Sequence, residues 1–197
     1  MEQEKEFTGQ ESLELISRMI SKARKDYYDT GLSALLWGTT ITICSLVSFA
    51  SFFLKMPNLL YIWFLTIVAV IPQVAISIRE KKSRRYKGHD EDFMSGIWIS
   101  FAVSMFLLGW VIGWLNLPHM ESIYMIIYGI PTFTTGYARR FKPMIIGGIA
   151  CWVFSVLSVF SIAPYGNLYL AASAQLAWFI PGLILRKRYL KAQKENV

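Results

Sequence analysis

Five stretches of this chain run without a single Asp, Glu, Lys or Arg: Thr30–Leu54, Met56–Ile78, Phe93–Met120, Ser122–Ala138 and Pro143–Leu185. A hydrocarbon layer about 30 Å thick is crossed by roughly 20 residues of helix rising about 1.5 Å each. Four of the runs match one crossing. The fifth is twice too long and carries a turn signal in its middle, Ala163-Pro164-Tyr165-Gly166-Asn167, so it reads as two spans. The expected fold class is therefore all-α and polytopic, with six transmembrane helices at about 32–54, 58–78, 93–117, 122–138, 143–163 and 168–185. Residues 1–31 precede the membrane domain, and a basic tail, 186–197, follows it. With 54% hydrophobic residues and a mean hydropathy of +0.41, the composition is too apolar for a soluble domain of this length.

Orientation follows from the basic residues, which are retained near span ends on the cytoplasmic side. Of 20 Lys and Arg, 19 precede span one, join spans two to three and four to five, or follow span six; only Lys55 lies in the other connections. Both termini are expected in the cytoplasm. The first 31 residues are polar and mixed in charge, so span one is the expected insertion signal. The net charge of +7 is accounted for by this layout and gives no ground for nucleic-acid binding.

Six of the seven prolines obey one pattern: each non-cytoplasmic turn holds one (Pro57, Pro118, Pro164), and each returning helix holds an Ile-Pro step (Pro72, Pro131, Pro181). The turn-to-helix spacings of 15, 13 and 17 residues raise a threefold repeat of one helical hairpin. A proline inside a span removes a backbone hydrogen bond and kinks it. Three kinks at similar depth could line a cavity open to the cytoplasm, with Gln73, Thr132, Thr135, Asn116 and Gln175 as its polar lining. Prolines are also simply common in membrane helices.

The segment 9–28 reads as an amphipathic helix. Thr8 with Glu11 matches a capping box, and Leu13, Ile16, Ile20, Ala23 and Tyr27 share one face. An isolated helix of this length is marginal in water, so its apolar stripe must dock on the bilayer surface, on this protein's own loops, or on a cytoplasmic protein partner. Arg139, Arg140 and Lys142 abut Pro143 at the expected start of span five, where free amides and the helix dipole favour an anion. With Thr135 nearby, this is the candidate site for an anionic lipid headgroup or phosphate, although orientation alone also accounts for the cations.

Chemistry is sparse. The span interiors hold no Asp, Glu, Lys, Arg or His, which argues against a carboxylate-driven pump or symporter. The loop run His89-Asp90-Glu91-Asp92 reads as a solvated charge run and His119 with Glu121 as a solvated turn, so no metal site, cofactor or catalytic residue is expected. Cys44 and Cys151 fall inside spans and read as buried thiols. Gly109 with Gly113 and the Ala171, Ala174, Ala177 stripe mark helix contacts, while Trp110 and Trp114 suit an interfacial belt.

Several stretches carry a resemblance. Residues 12–20 (Ser-Leu-Glu-Leu-Ile-Ser-Arg-Met-Ile), Leu36-Trp37-Gly38, Gly129-Ile-Pro-Thr-Phe-Thr-Thr-Gly136, Phe141-Lys142-Pro143 with Gly147-Gly148, and Ile180-Pro181-Gly182 with Arg186 resemble a family of bacterial six-span inner-membrane proteins with an amphipathic N-terminal helix and no characterised activity. The likeness covers nearly the whole chain but lies in packing and punctuation residues. Members encoded beside small winged-helix regulators imply a sensing or regulatory role. The expectation is thus a protein acting by interaction, as membrane sensor, regulator or assembly factor; the alternative is a small solute facilitator or lipid-handling transporter with a cytoplasm-facing cavity.

Overall fold

A computed structural model describes Glu14 and residues 30–83, 89–115 and 119–195. Residues 9–13 and 15–28, with Leu13, Ile16, Ile20 and Tyr27, lie outside the described residues. Among those described there is no strand. The elements are α1 (Leu32–Leu54), a 3-10 segment (Pro57–Trp63) running into α2 (Phe64–Ser83), α3 (His89–Leu115), α4 (Met120–Ala138), α5 (Lys142–Val159), and α6 (Gly166–Ala174), which passes through a π-helical stretch (Gln175–Phe179) into α7 (Ile180–Glu195). Five segments among the described residues are long and apolar enough to cross a membrane: Leu32–Leu54, Pro57–Lys82, Phe93–Val111, Lys142–Val159 and Gly166–Lys194. The chain is a multi-pass, all-helical membrane protein.

Several boundaries differ from the sequence reading. Helix α3 begins at His89, so His89-Asp90-Glu91-Asp92 forms its first turn and not a loop. The last helix runs on to Glu195, which makes most of the expected tail a continuation of the span. Helix α5 stops at Val159, four residues before the expected end.

Helix α4 is the instructive element. Its 19 residues are long enough to cross, yet its hydroxyls, its glycines and Glu121 make it too polar to stand against lipid on every side. It is accordingly enclosed: Ser122, Met125, Tyr128, Thr132 and Thr135, at steps of three and four, are buried, while Ile126, Ile130 and Tyr137 on the other face are exposed. It packs most closely on α5, across the basic turn, and that pairing depends on glycine. A Cβ on Gly136 would lie 2.7 Å from the Ile145 amide nitrogen, and one on Gly148 would lie 2.7 Å from the Phe133 side chain. The α6–π–α7 helix contacts α1, α4 and α5 and gathers them into the core of Ile41, Met125, Tyr128, Cys151, Leu170, Ala174, Ala177 and Trp178. By contrast α2 packs on α1 and its own 3-10 lead-in, and α3 chiefly on α4, with Phe101 reaching the Trp178 ring, so these two form the periphery among the described residues.

Five of the seven tryptophans donate their indole N–H inside the molecule. Trp98 on α3 reaches Thr135 Oγ1 at 3.2 Å and Trp178 reaches Thr132 Oγ1 at 2.9 Å, so the two threonines of α4 tie down a neighbour each. In hydrocarbon no water answers an indole donor, and a hydroxyl on the facing helix does so instead. Trp110 and Trp114 are exposed on α3, as an interfacial belt requires.

Candidate functional sites at the two ends of the bundle

The helices bring the basic turns to one end and the Lys55, His119 and Pro164 turns to the other. At the basic end the Thr30 hydroxyl donates to Glu80, Gly31 lies against Gly182 and the Arg186 amide, and the Arg188 guanidinium stands 5.1 Å from the Phe141 ring centroid.

The turn from α4 to α5 is built by backbone geometry. Phe141 N–H donates to Gly136 O at 2.8 Å and Arg140 N–H to Tyr137 O at 3.1 Å, the paired bonds of a Schellman motif, with Arg140 in the left-handed position (φ 50°) that glycine normally fills. Phe141 is buried and caps α5. This arrangement revises the anion-site expectation. Pro143 has no amide, and Met144 and Ile145 both turn their N–H to Phe141 O, at 3.1 and 3.4 Å, so the helix start presents few free donors. Thr135 is buried, and its oxygen accepts the Trp98 indole, so it faces the bundle. What remains at the surface is cationic: Arg140 and Lys142 are exposed, and α7 brings Arg188 alongside.

The three Ile-Pro prolines have unlike surroundings. Pro131 and Pro181 are fully buried in the central helices, whereas Pro72 is exposed on peripheral α2. Ahead of Pro181 the Ile180 amide reaches back five residues to Gln175 O; this wider turn accommodates a ring that would otherwise strike the carbonyl four residues earlier. The widened stretch is clamped between two glycines. Cβ atoms on Gly147 and Gly38 would stand 2.5 Å from Ala177 Cα and 2.7 Å from Phe179 N, so backbones touch there. The polar side chains expected to line a path are committed to neighbouring helices. Gln73 accepts from Trp37 at 3.0 Å and donates to Ser33 and Ser77, and Gln175 donates to Thr42 at 2.8 Å. Asn116 lies outside the described residues.

At the opposite end the three turns converge on a cavity of about 550 Å³ lined by Ser48, Ser51, Lys55, His119, Glu121 and Asn167 with apolar neighbours. Glu121 anchors it. Its Oε1 accepts from the buried Ser158 hydroxyl at 3.3 Å and lies 3.8 Å from His119 Nδ1, and the carboxylate rests against Gly166, where a Cβ would come within 1.9 Å of Oε1. Glu121 thus joins α4, α5 and the start of α6 and is only 22% exposed, which corrects its reading as a residue of a solvated turn. Lys55 is held by its backbone, which closes α1 in the left-handed conformation with its N–H on Ser51 O. The sequence reading named His119 and Glu121 but took them for a solvated turn; a second signal is the serines at every third position, Ser45, Ser48 and Ser51 on α1 and Ser155, Ser158 and Ser161 on and just after α5.

No family model, no curated protein and no solved structure matches this chain.

Cys44 and Cys151 are free and buried. No group of three or more potential metal ligands occurs among the described residues.

Proposed function

We propose that the protein is a non-catalytic six-span protein of a bacterial inner membrane, with both termini in the cytoplasm, that acts by interaction as a sensor or regulator. The observation that carries this reading is the commitment of Gln73, Thr132, Thr135 and Gln175 to bonds between helices at the level of the prolines. A conduit needs polar groups turned toward its cargo, and here they join neighbouring helices. The glycine-mediated backbone contacts at the same level support the same reading. The resemblance to six-span inner-membrane proteins encoded beside transcriptional regulators agrees with it, and the exposed cations around Arg140, Lys142 and Arg188 suit anionic lipid at the cytoplasmic surface, at about 1 kcal/mol per basic residue.

The test has two parts. Proteoliposomes containing the protein should show no polyol swelling response and no lipid scrambling above empty vesicles; flux above that level would favour a facilitator. Photo-crosslinkers at Leu13, Ile16, Ile20 and Tyr27 should capture a protein partner in intact cells, and their failure to do so at every position would end the interaction reading. Orientation is checked in a chain lacking Cys44 and Cys151. Lys55→Cys should react with a membrane-impermeant maleimide in intact cells, and Lys187→Cys only after permeabilisation.

A further inference from the structure

The cavity at the turn end carries two opposite charges that do not meet. Lys55 and Glu121 both line it, yet among the described residues the ion-pair partner of Glu121 is His119 and Lys55 has none. Glu121 is positioned by Ser158 and Gly166, and the Lys55 side chain springs from the residue whose backbone ends α1. Opposite charges at the edge of a low-dielectric slab attract strongly, so a site that keeps them apart is complementary to a molecule with its own charges the other way round. The cavity volume of about 550 Å³ falls in the range of small-molecule sites. A second observation points the same way. The hydroxyls of Ser45, one turn deeper than Ser48, and of Ser122, next to Glu121, are buried without a hydrogen-bond partner among the described residues. Buried hydroxyls are seldom left unanswered, and these two adjoin residues of the cavity lining in the chain, Ser48 and Glu121.

We propose that this cavity binds a small zwitterion with a primary ammonium and an oxyanion, the ammonium on Glu121 and the oxyanion on Lys55 and Asn167. The chemistry is shared by a phosphatidylethanolamine headgroup and by a free solute of the same kind. Exposed Phe52 and Leu60 on the cavity wall would meet the acyl chains of the former. The proposal deepens the sensor reading by naming its input and rests on that reading for its purpose, but binding is measured without reference to partners or flux, so either can fail alone.

The experiment is calorimetric titration of the full-length protein with glycerophosphoethanolamine, and with ethanolamine and glycerol phosphate separately. Saturable binding of the zwitterion is expected, with each half binding at least tenfold more weakly, because a charge-assisted contact is worth about a factor of ten or more. Glu121→Gln and Lys55→Gln should each raise Kd about tenfold, and so should Asn167→Ala, at a half-buried position in the first turn of α6 where alanine is a good helix former. Circular dichroism and melting of each variant separate loss of binding from loss of fold. Repeating the titration in nanodiscs of phosphatidylcholine with and without phosphatidylethanolamine identifies the source: competition by the lipid assigns the headgroup, and undiminished binding assigns a free solute. No saturable binding, equal binding of the halves, or unchanged affinity in all three variants would overturn the proposal.

Discussion

Replacing Gly166 by alanine should expose how tightly the Glu121 carboxylate is built into the bundle. The new Cβ would lie 1.9 Å from Glu121 Oε1 and 2.5 Å from its Cδ, against an ordinary contact that begins near 3.4 Å, so the carboxylate has to retreat by about 1.5 Å. The backbone need not move, because the obstruction is the end of a side chain. The cost is therefore the contact that Glu121 gives up, the Ser158 hydroxyl at 3.3 Å, together with the approach to His119. A hydrogen bond to a charged group is worth about 1.5–3 kcal/mol. With Glu121 partly open to solvent, the lower end applies, and Gly166→Ala should destabilise the protein by about 1–1.5 kcal/mol. In a Glu121→Ala background the obstruction is gone. There the same substitution should be neutral or stabilising by a few tenths of a kcal/mol, since alanine is the better helix former at the first residue of α6. Reversible unfolding of the four proteins in detergent closes a double-mutant cycle with an expected coupling of at least about 1 kcal/mol. If the two substitutions add to within about 0.5 kcal/mol, Glu121 is not held where the structure puts it.

Other substitutions separate packing from propensity. Gly147→Ala places a methyl 2.5 Å from Ala177 Cα and Leu176 O, backbone atoms that cannot step aside, and should cost about 1–3 kcal/mol in the same unfolding assay. Gly96→Ala on α3 meets nothing within 4 Å and should be neutral or stabilising by up to about 1 kcal/mol; a large loss there would mean that α3 is packed more closely than it stands. The Gln175 to Thr42 bond at 2.8 Å should give a coupling of about 0.6 kcal/mol in a Gln175→Leu, Thr42→Val cycle, the ordinary worth of a hydrogen bond between membrane helices. Arg140→Gly relieves a left-handed backbone at φ 50° and should raise stability by about 0.5–1 kcal/mol, because glycine adopts that conformation without a Cβ penalty. Cys44 and Cys151, both fully buried, should resist maleimide in the folded protein and react once SDS unfolds it.

Spans and turns were legible locally. A helix that crosses hydrocarbon must satisfy its own backbone and present apolar side chains to lipid, so spans and turns are written locally in charge-free runs and in Gly, Pro and Asn punctuation. Helices at or near each expected place, and the buried thiols, follow from that local rule. The boundaries moved where the rule is weakest. Acidic residues at 89–92 fit a helix start as well as a loop, and the basic residues after Leu185 are good helix formers that do not stop a helix.

Tertiary structure decided what depends on neighbours. No local pattern says that α4, rich in hydroxyls and glycines, is enclosed while α2 and α3 stand outside. It follows because the glycines of α4 let another backbone approach closely, and the oxygens of Thr132 and Thr135 accept indole donors from neighbouring helices. The same physics turned five tryptophans inward, gave Thr135 to Trp98 instead of to an anion, and spent Gln73 and Gln175 on packing. The turn-end cavity lay furthest from view. Lys55, Glu121 and Asn167 are separated by 66 and 46 residues in the chain, each unremarkable in its own turn. Only the folding of three turns onto one end makes them a site.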